Sequence, residues 1–316
     1  MQIKKAVRYW IFLYLTVSIL SLYFINCKQS EKAAADASKS VPALNAEQQK
    51  LLDGYIQRLQ EFPKFSNEVT EDNTCNWKYD LNSPDLDNLK KTYDLKTIIG
   101  TGTEIEGFLN LTDWVHRITK SQGELGNPDT LTSIAIINYV KTRNHAVNCK
   151  MKAIVLNEIL LSFGYYSRRI SFMPSIFDGD LHSIVTVYSN ELKKWVCLDP
   201  TFNTYFHDAD GNLLGYLEIR DAYTSGRIPE FRSINMTREY PLRMAGIEFY
   251  GYDQWYSVYM TKNCFRASCP QTSQFGYDTL DDRILVNLLP VGYTEDNPSV
   301  NTISTNNSYV FFQQPL

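Results

Sequence analysis

Apolar and polar positions first alternate in an ordered way around residue 45. Leu51, Leu52, Tyr55, Leu59 and Phe62 recur at helical spacing, which places one face of a helix against a core. Asn45, with Gln48 three residues on, is a start signal, and Pro63 is a stop. Residues 64–100 are polar, with Pro84 and several Asn and Asp, and predict irregular structure. Residues 105–120 predict a helix in their second half, and 129–140 predict another. From Cys149 to Gly164 the chain is strongly apolar. Ala153, Leu156, Leu160 and Phe163 form one stripe with Ile159 beside it, and Gly164 suits the position just past a helix end. Three strand-like runs follow, at 165–172, 182–188 and 195–198. The second is apolar at nearly every position, as a strand covered on both faces should be. Residues 189–194 are polar and read as the loop of a hairpin, and Asp210-Gly211 reads as a turn. The last 70 residues are aromatic, with short apolar runs at 283–290 and 309–312, and predict β structure attached to the main domain. Helices followed by strands give an α+β class, with a cysteine-bearing helix packed on an antiparallel sheet.

The N-terminus carries a different pattern. Lys4, Lys5 and Arg8 precede an almost wholly apolar run over 9–25, the layout of an export segment. The run ends at Asn26-Cys27. A cysteine at that point resembles a bacterial lipoprotein cleavage box, which implies that Cys27 becomes the lipidated first residue. Asn26 departs from the small residue usual before that cysteine. The other reading is an uncleaved anchor helix, since the run is just long enough to span a bilayer. Both export the remainder, because the positive charge stays inside. Residues 28–43 are small and polar and read as a flexible tether. The chain therefore divides into an export segment (1–27), a tether (28–43), a helical and irregular segment (44–100), a core (101–225) and a β-rich extension (226–316).

Composition narrows the class. The chain has 316 residues, 44% of them hydrophobic, and a formal net charge of −4. No basic excess offers a surface to nucleic acid. The 21 Tyr and 16 Phe favour strands. Export makes disulfides permissible among the six cysteines. Cys264 and Cys269 are candidates for a local disulfide, Cys75 and Cys197 can pair or stay free, and Cys149 is left as the odd, candidate reactive thiol.

Cys149 opens the apolar helix, and a helix N-terminus favours a thiolate through its unpaired N–H groups and dipole. The Cys149 N–H is a candidate oxyanion donor, with Asn148 a further one. A base must come from His116, His145, His182 or His207. His182 begins the apolar strand. If Tyr188 pairs with Trp195, Asp199 lies on the same sheet face as His182 and diagonal to it, at about 7–8 Å between Cα atoms. Asp199 can then orient His182, and His182 can polarise Cys149. A slip by one residue reverses the faces and undoes this. His145 reads as a loop histidine. His207 with Asp208 and Asp210 hints at calcium but reads better as a turn, and no Cys-x-x-Cys pair supports zinc.

The segments C-K-M-K-A-I-V-L-N-E-I-L-L-S-F-G from Cys149, H-S-I-V-T-V-Y from His182 and K-W-V-C-L-D-P-T-F through Asp199 resemble the transglutaminase-like superfamily, the papain-type cysteine enzymes. D-W-V-H at 113–116 is similar to its lead-in helix. The resemblance covers about residues 105–225 and implies that Cys149 is nucleophile, His182 base and Asp199 orienter, with no cofactor and no metal. It departs from the pattern at Val147-Asn148 and at Ser183. The function it implies is exported, membrane-anchored, thiol-dependent hydrolysis or acyl transfer on peptide or glutamine amide bonds, with hydrolysis favoured. The alternative is an inactive papain-like module of the cell envelope that binds peptide or glycan.

Overall fold

The structure is a computed structural model that describes residues 43–69, 75–123, 125–143, 146–177, 179–233, 242–295 and 301–315. Cys27, the export segment, nearly all of the tether and His145 lie outside these residues. Among the described residues, no helix is long and apolar enough to cross a membrane.

Among the described residues, six helices precede the main sheet: α1 (Ala46–Glu61), α2 (Pro84–Thr92), α3 (Leu95–Ile99), α4 (Glu104–Ile118), α5 (Ser133–Arg143) and α6 (Cys149–Ser162). The Asn45–Gln48 capping box is formed as the sequence indicates, with Gln48 N donating to Asn45 Oδ1 at 2.9 Å and Asn45 N to Gln48 Oε1 at 3.0 Å. The stretch expected to be irregular contains α2 and α3. Ser83 caps α2 and Pro84 opens it, a start signal that the polar composition masks. Helix α4 begins earlier than its apolar spacing indicates, because Thr103 and Glu106 cap it reciprocally.

Strands β1 (Ser167–Met173), β2 (His182–Ser189) and β3 (Lys194–Leu198) follow, then a ribbon of β4 (Thr204–His207) and β5 (Glu230–Ser233). Helix α7 (Tyr216–Thr224) lies between the two ribbon strands, and helix α8 (Tyr252–Asn263) follows them. Strands β6 (Arg266–Pro270), β7 (Leu285–Leu288) and β8 (Thr302–Thr305) and the short helix α9 (Ser308–Phe311) complete the chain. The main sheet has the order β8-β7-β6-β1-β2-β3. It is antiparallel except where β7 meets β8. The segment expected as a β-rich extension thus supplies half of the central sheet, and Leu44–Leu316 fold as one unit.

The sheet separates two apolar cores. Val185 and Val187 of β2 and Val196 and Leu198 of β3 face the first, built around α6 with Phe108, Leu111 and Val115 of α4. Ile184 and Cys197, of opposite parity, face the second, an aromatic core holding Tyr216 and Tyr223 of α7, Tyr256 of α8 and Phe311. Burial on both faces is why β2 reads as an unbroken apolar run. Every residue of α6 from Met151 to Ser162 is buried, so the expected single stripe understates a helix packed on all sides.

Candidate active site

Cys149 is the first residue of α6, and Asn148 fixes that end. Its backbone is extended, and its Oδ1 accepts the Met151 N–H at 3.0 Å. The first-turn donors of a helix have no carbonyl partner within it, so the Cys149 N–H is not used within α6. Asn148 does not suit the side-chain oxyanion role. Its Nδ2 already donates to Leu125 O and Asn127 Oδ1, both at 2.9 Å, so it works as a cap and a loop anchor.

The hairpin has the register on which the geometry depends. Tyr188 pairs with Trp195, and the ladder continues to Val185 opposite Leu198. It stops there because Pro200 has no N–H to donate. Asp199 instead exchanges both backbone hydrogen bonds with Thr204, at 2.9 and 3.0 Å. This turn swings the Asp199 carboxylate to His182, whose Nε2–H donates to Oδ2 at 2.7 Å. The remaining ring nitrogen is left for Cys149, whose sulfur is close enough to raise the His182 pKa. As a thiol, Cys149 also reaches Leu181 O at 3.8 Å. The structure therefore brings Cys149, His182 and Asp199 into one chain of contacts.

Asp199 is held at both oxygens. Oδ1 accepts the N–H groups of Thr201 and Phe202 at 2.9 and 3.2 Å, and Oδ2 accepts the Tyr256 hydroxyl at 2.9 Å as well as His182. Burial alone pushes its pKa up. The His182 charge and these hydrogen bonds outweigh that and hold it below the usual carboxylate range. Burial alone depresses His182, but Asp199 and the Cys149 sulfur raise it to about 10. Burial pushes the Cys149 thiol up, while the hydrogen bond and charge of His182 and the Ser183 N–H bring it below its ordinary value. Each partner favours the charged form of the next, so thiolate and imidazolium stand as a pair.

The cysteine count resolves differently from its expectation. Cys149, Cys197, Cys264 and Cys269 are free thiols. Cys264 caps α8, whereas Cys269 lies three residues beyond Arg266 in extended strand. The two do not form the local disulfide that their spacing allows. Cys149 is distinguished not by being left over but by its surroundings. It is half-buried at a cleft, while Cys197, Cys264 and Cys269 are fully buried and burial pushes their thiols up.

The cleft has a volume of about 1420 Å³, and Cys149, His182, Phe202, Trp255 and Tyr259 are among the residues that line it. His182 stacks on Phe202 and meets the edge of Tyr259, with centroids 5.0 and 5.4 Å apart. Tyr256 and Tyr259 come from α8, which the sequence reading placed in β structure. Its aromatic residues favour strands, and burial of nearly every residue removes the amphipathic period. Gly251 before it, Asp253 in its first turn and Lys262 in its last are the helix signals that were available. His116 of α4 also lines the cleft. Its Nδ1–H donates to Pro200 O and Thr201 O at 3.3 and 3.2 Å, tying α4 to the Asp199 turn. Burial, then the nearby Lys152, lower its pKa, so it serves as a neutral brace. The stretch 207–212 is a turn. Asp208 accepts from Asp210 N, Asn212 N and Asn212 Nδ2 at 2.8–3.0 Å. Among the described residues, no group of three or more His, Cys, Asp and Glu is gathered as a metal site.

No protein-family model matches the chain, and no curated protein matches it. Among solved structures it is similar to one from Cytophaga hutchinsonii, described provisionally as a cysteine protease. Identity is 16%, and the match covers 62% of this chain and 55% of that one. This chain thus spans about half the length of that protein, and at a TM-score of 0.31 the likeness carries no argument. The case for the site rests on its own geometry.

Proposed function

We propose that this chain is an exported, membrane-tethered thiol enzyme that cleaves peptide or glutamine amide bonds through a Cys149 thioester. The observation that carries this is the buried His182, held at 2.7 Å by a fully satisfied Asp199 carboxylate and close enough to Cys149 that each favours the charged form of the other. The thiolate of Cys149 attacks the amide carbonyl carbon. The developing oxyanion faces the N–H of Cys149 at the start of α6. His182, as imidazolium, gives its proton to the departing amine, which leaves a thioester. Neutral His182 then takes a proton from water, the hydroxide attacks the thioester carbon, and the carboxylic acid leaves as the thiolate reforms. Asp199 keeps the Nε2–H tautomer and the ring orientation throughout. Hydrolysis is the favoured outcome over transfer to an amine. Export and anchoring are carried by the segment 1–27 and by Cys27, through lipid or an uncleaved helix.

Alkylation tests this reading. Iodoacetamide at neutral pH labels Cys149 ahead of Cys75, Cys197, Cys264 and Cys269, and His182→Ala slows that labelling at least ~10-fold, within the range that a positioned base contributes. Equally sluggish labelling of both forms ends the proposal.

A further inference from the structure

Cys149 and His182 come from different elements, and each is followed by a residue tied to the same buried ion pair. Arg169 of β1 and Asp278 form that pair. Arg169 Nη2 donates to Asp278 Oδ1 at 2.9 Å, and Nε donates to Oδ2 at 3.0 Å. Toward the nucleophile, the ammonium of Lys150, one residue after Cys149 on α6, lies 3.7 Å from the same Oδ1. Toward the base, Arg169 Nη1 donates to Ser171 Oγ at 3.0 Å. Ser171 Oγ in turn shares a hydrogen bond of 3.0 Å with Ser183 Oγ, one residue after His182 on β2. The strand register produces this link. Ser171 is opposite Ser183 and Arg169 is opposite Val185, and residues two apart share a face. All four therefore lie on the α6 side of the sheet, where Val185 packs. Arg169, Asp278, Ser171 and Ser183 are buried. Asp278 sits in a one-turn helix, Tyr277–Thr279, that is itself fastened. The Gly276 N–H donates to Glu158 Oε1 of α6, and the Leu131 N–H donates to Thr279 Oγ1, both at 2.9 Å.

We infer that the Arg169–Asp278 pair is a positioning anchor for the thiol chemistry: it fixes the start of α6 against the start of β2, and with it the separation of the Cys149 sulfur from the His182 ring. This rests on the reading of Cys149 as nucleophile and His182 as base. A bidentate guanidinium–carboxylate pair has a set geometry, and a buried one resists parting because either member alone is a charge stranded away from water. The sulfur bears on the same stretch of β2, reaching Leu181 O at 3.8 Å, and the Ser183 N–H favours its thiolate form. The pair acts through Lys150 and Ser183, so its members are positioning residues and not catalytic ones. Misplacing a reacting group by a fraction of a bond length is costly in rate, and the anchor guards against that.

The test measures the rate of iodoacetamide labelling at Cys149 in the full chain at neutral pH, with and without His182→Ala, alongside urea unfolding of every variant. Asp278→Asn keeps the shape of the acid and loosens the pair. Ser171→Ala removes only the hydroxyl between Arg169 and Ser183, and it decides the matter where Asp278→Asn does not fold. Asp278→Asn slows labelling about tenfold and Ser171→Ala about threefold, part of the roughly 100-fold that a misplacement of about 1 Å can cost. In the His182→Ala background neither substitution slows labelling further, because no base remains to be misplaced. A general loss of stability acts alike in both backgrounds, so the cycle separates the two causes. Labelling left unchanged by either substitution in the folded chain overturns the inference. So does slowing by the same factor with and without His182. The underlying reading fails separately, through labelling of the unsubstituted chain that is slow and indifferent to His182→Ala.

Discussion

The hydroxyl of Tyr256 is one oxygen on a ring otherwise devoted to packing, yet it closes the last acceptor position on Asp199. Tyr256→Phe keeps the ring and removes that donor. Hydrogen bonds to charged groups contribute about 1.5–3 kcal/mol, so urea unfolding at neutral pH shows a loss of that size. The pH dependence follows from linkage. Asp199, depressed in the folded state, adds stability above its unfolded pKa that is lost as pH falls through its folded value. Tyr256→Phe raises the folded value, so acid unfolding begins at higher pH in the variant. A second prediction concerns the thiolate–imidazolium pair. With Cys149 lowered and His182 raised to about 10, alkylation of Cys149 rises through a midpoint below that of an ordinary thiol. In His182→Ala desolvation and the Asp199 charge remain against the Ser183 N–H alone, and the midpoint moves upward. A stopped-flow pH series with a neutral reagent reads both midpoints, and an unchanged midpoint would refute the pair.

At the scale of elements, two pieces carry the site, and they were unequally legible. The α6 start and the β2–β3 hairpin could be read from Asn148-Cys149, from the polar loop at 189–194 and from Tyr188 opposite Trp195. A hairpin register is a local property, set by a short loop and a face that must be buried. Helix α8 could not be read the same way. Its sequence Y-D-Q-W-Y-S-V-Y-M-T-K-N buries its polar residues along with its aromatic ones, all but Asp253, so polarity does not mark an exposed face, and aromatic content points to the wrong element. Helix α2 escaped for the opposite reason: it is short and largely polar, and only Ser83-Pro84 announces it. The role of Asn148 turned on partners at Leu125 and Asn127, which no pattern in its own helix reveals. Its capping bond leads to a third prediction. Asn148→Ala costs about 1 kcal/mol of stability and also lowers the rate of Cys149 labelling, because the end of α6 loses its anchor to the 125–127 loop. A stability loss with labelling unchanged would show that the cap does not position the sulfur.

Across the whole molecule, the C-terminal strands and helices bind the N-terminal half together. Arg168 of β1 is buried with its guanidinium 4.0 Å from the ring centroids of both Trp77 and Trp195, and it donates to Phe311 O at 2.9 Å. One side chain thus joins the 75–80 segment, the sheet and α9. Stacking of this kind needs a planar cation and is worth about 2 kcal/mol when desolvated. Arg168→Lys therefore lowers stability by at least that much in thermal or urea unfolding, and a change under about 0.5 kcal/mol would deny the clamp its role. The C-terminal segment is part of the central sheet for the same reason, since β6, β7 and β8 cannot be removed without exposing the edge of β1. Trp255 has a further use. It lies parallel to Tyr259 with ring centroids 4.6 Å apart, Tyr259 rests on His182, and Trp255 alone among the described tryptophans lines the cleft. Its fluorescence is therefore a built-in gauge of cleft occupancy, readable in real time without a label or a chromogenic substrate.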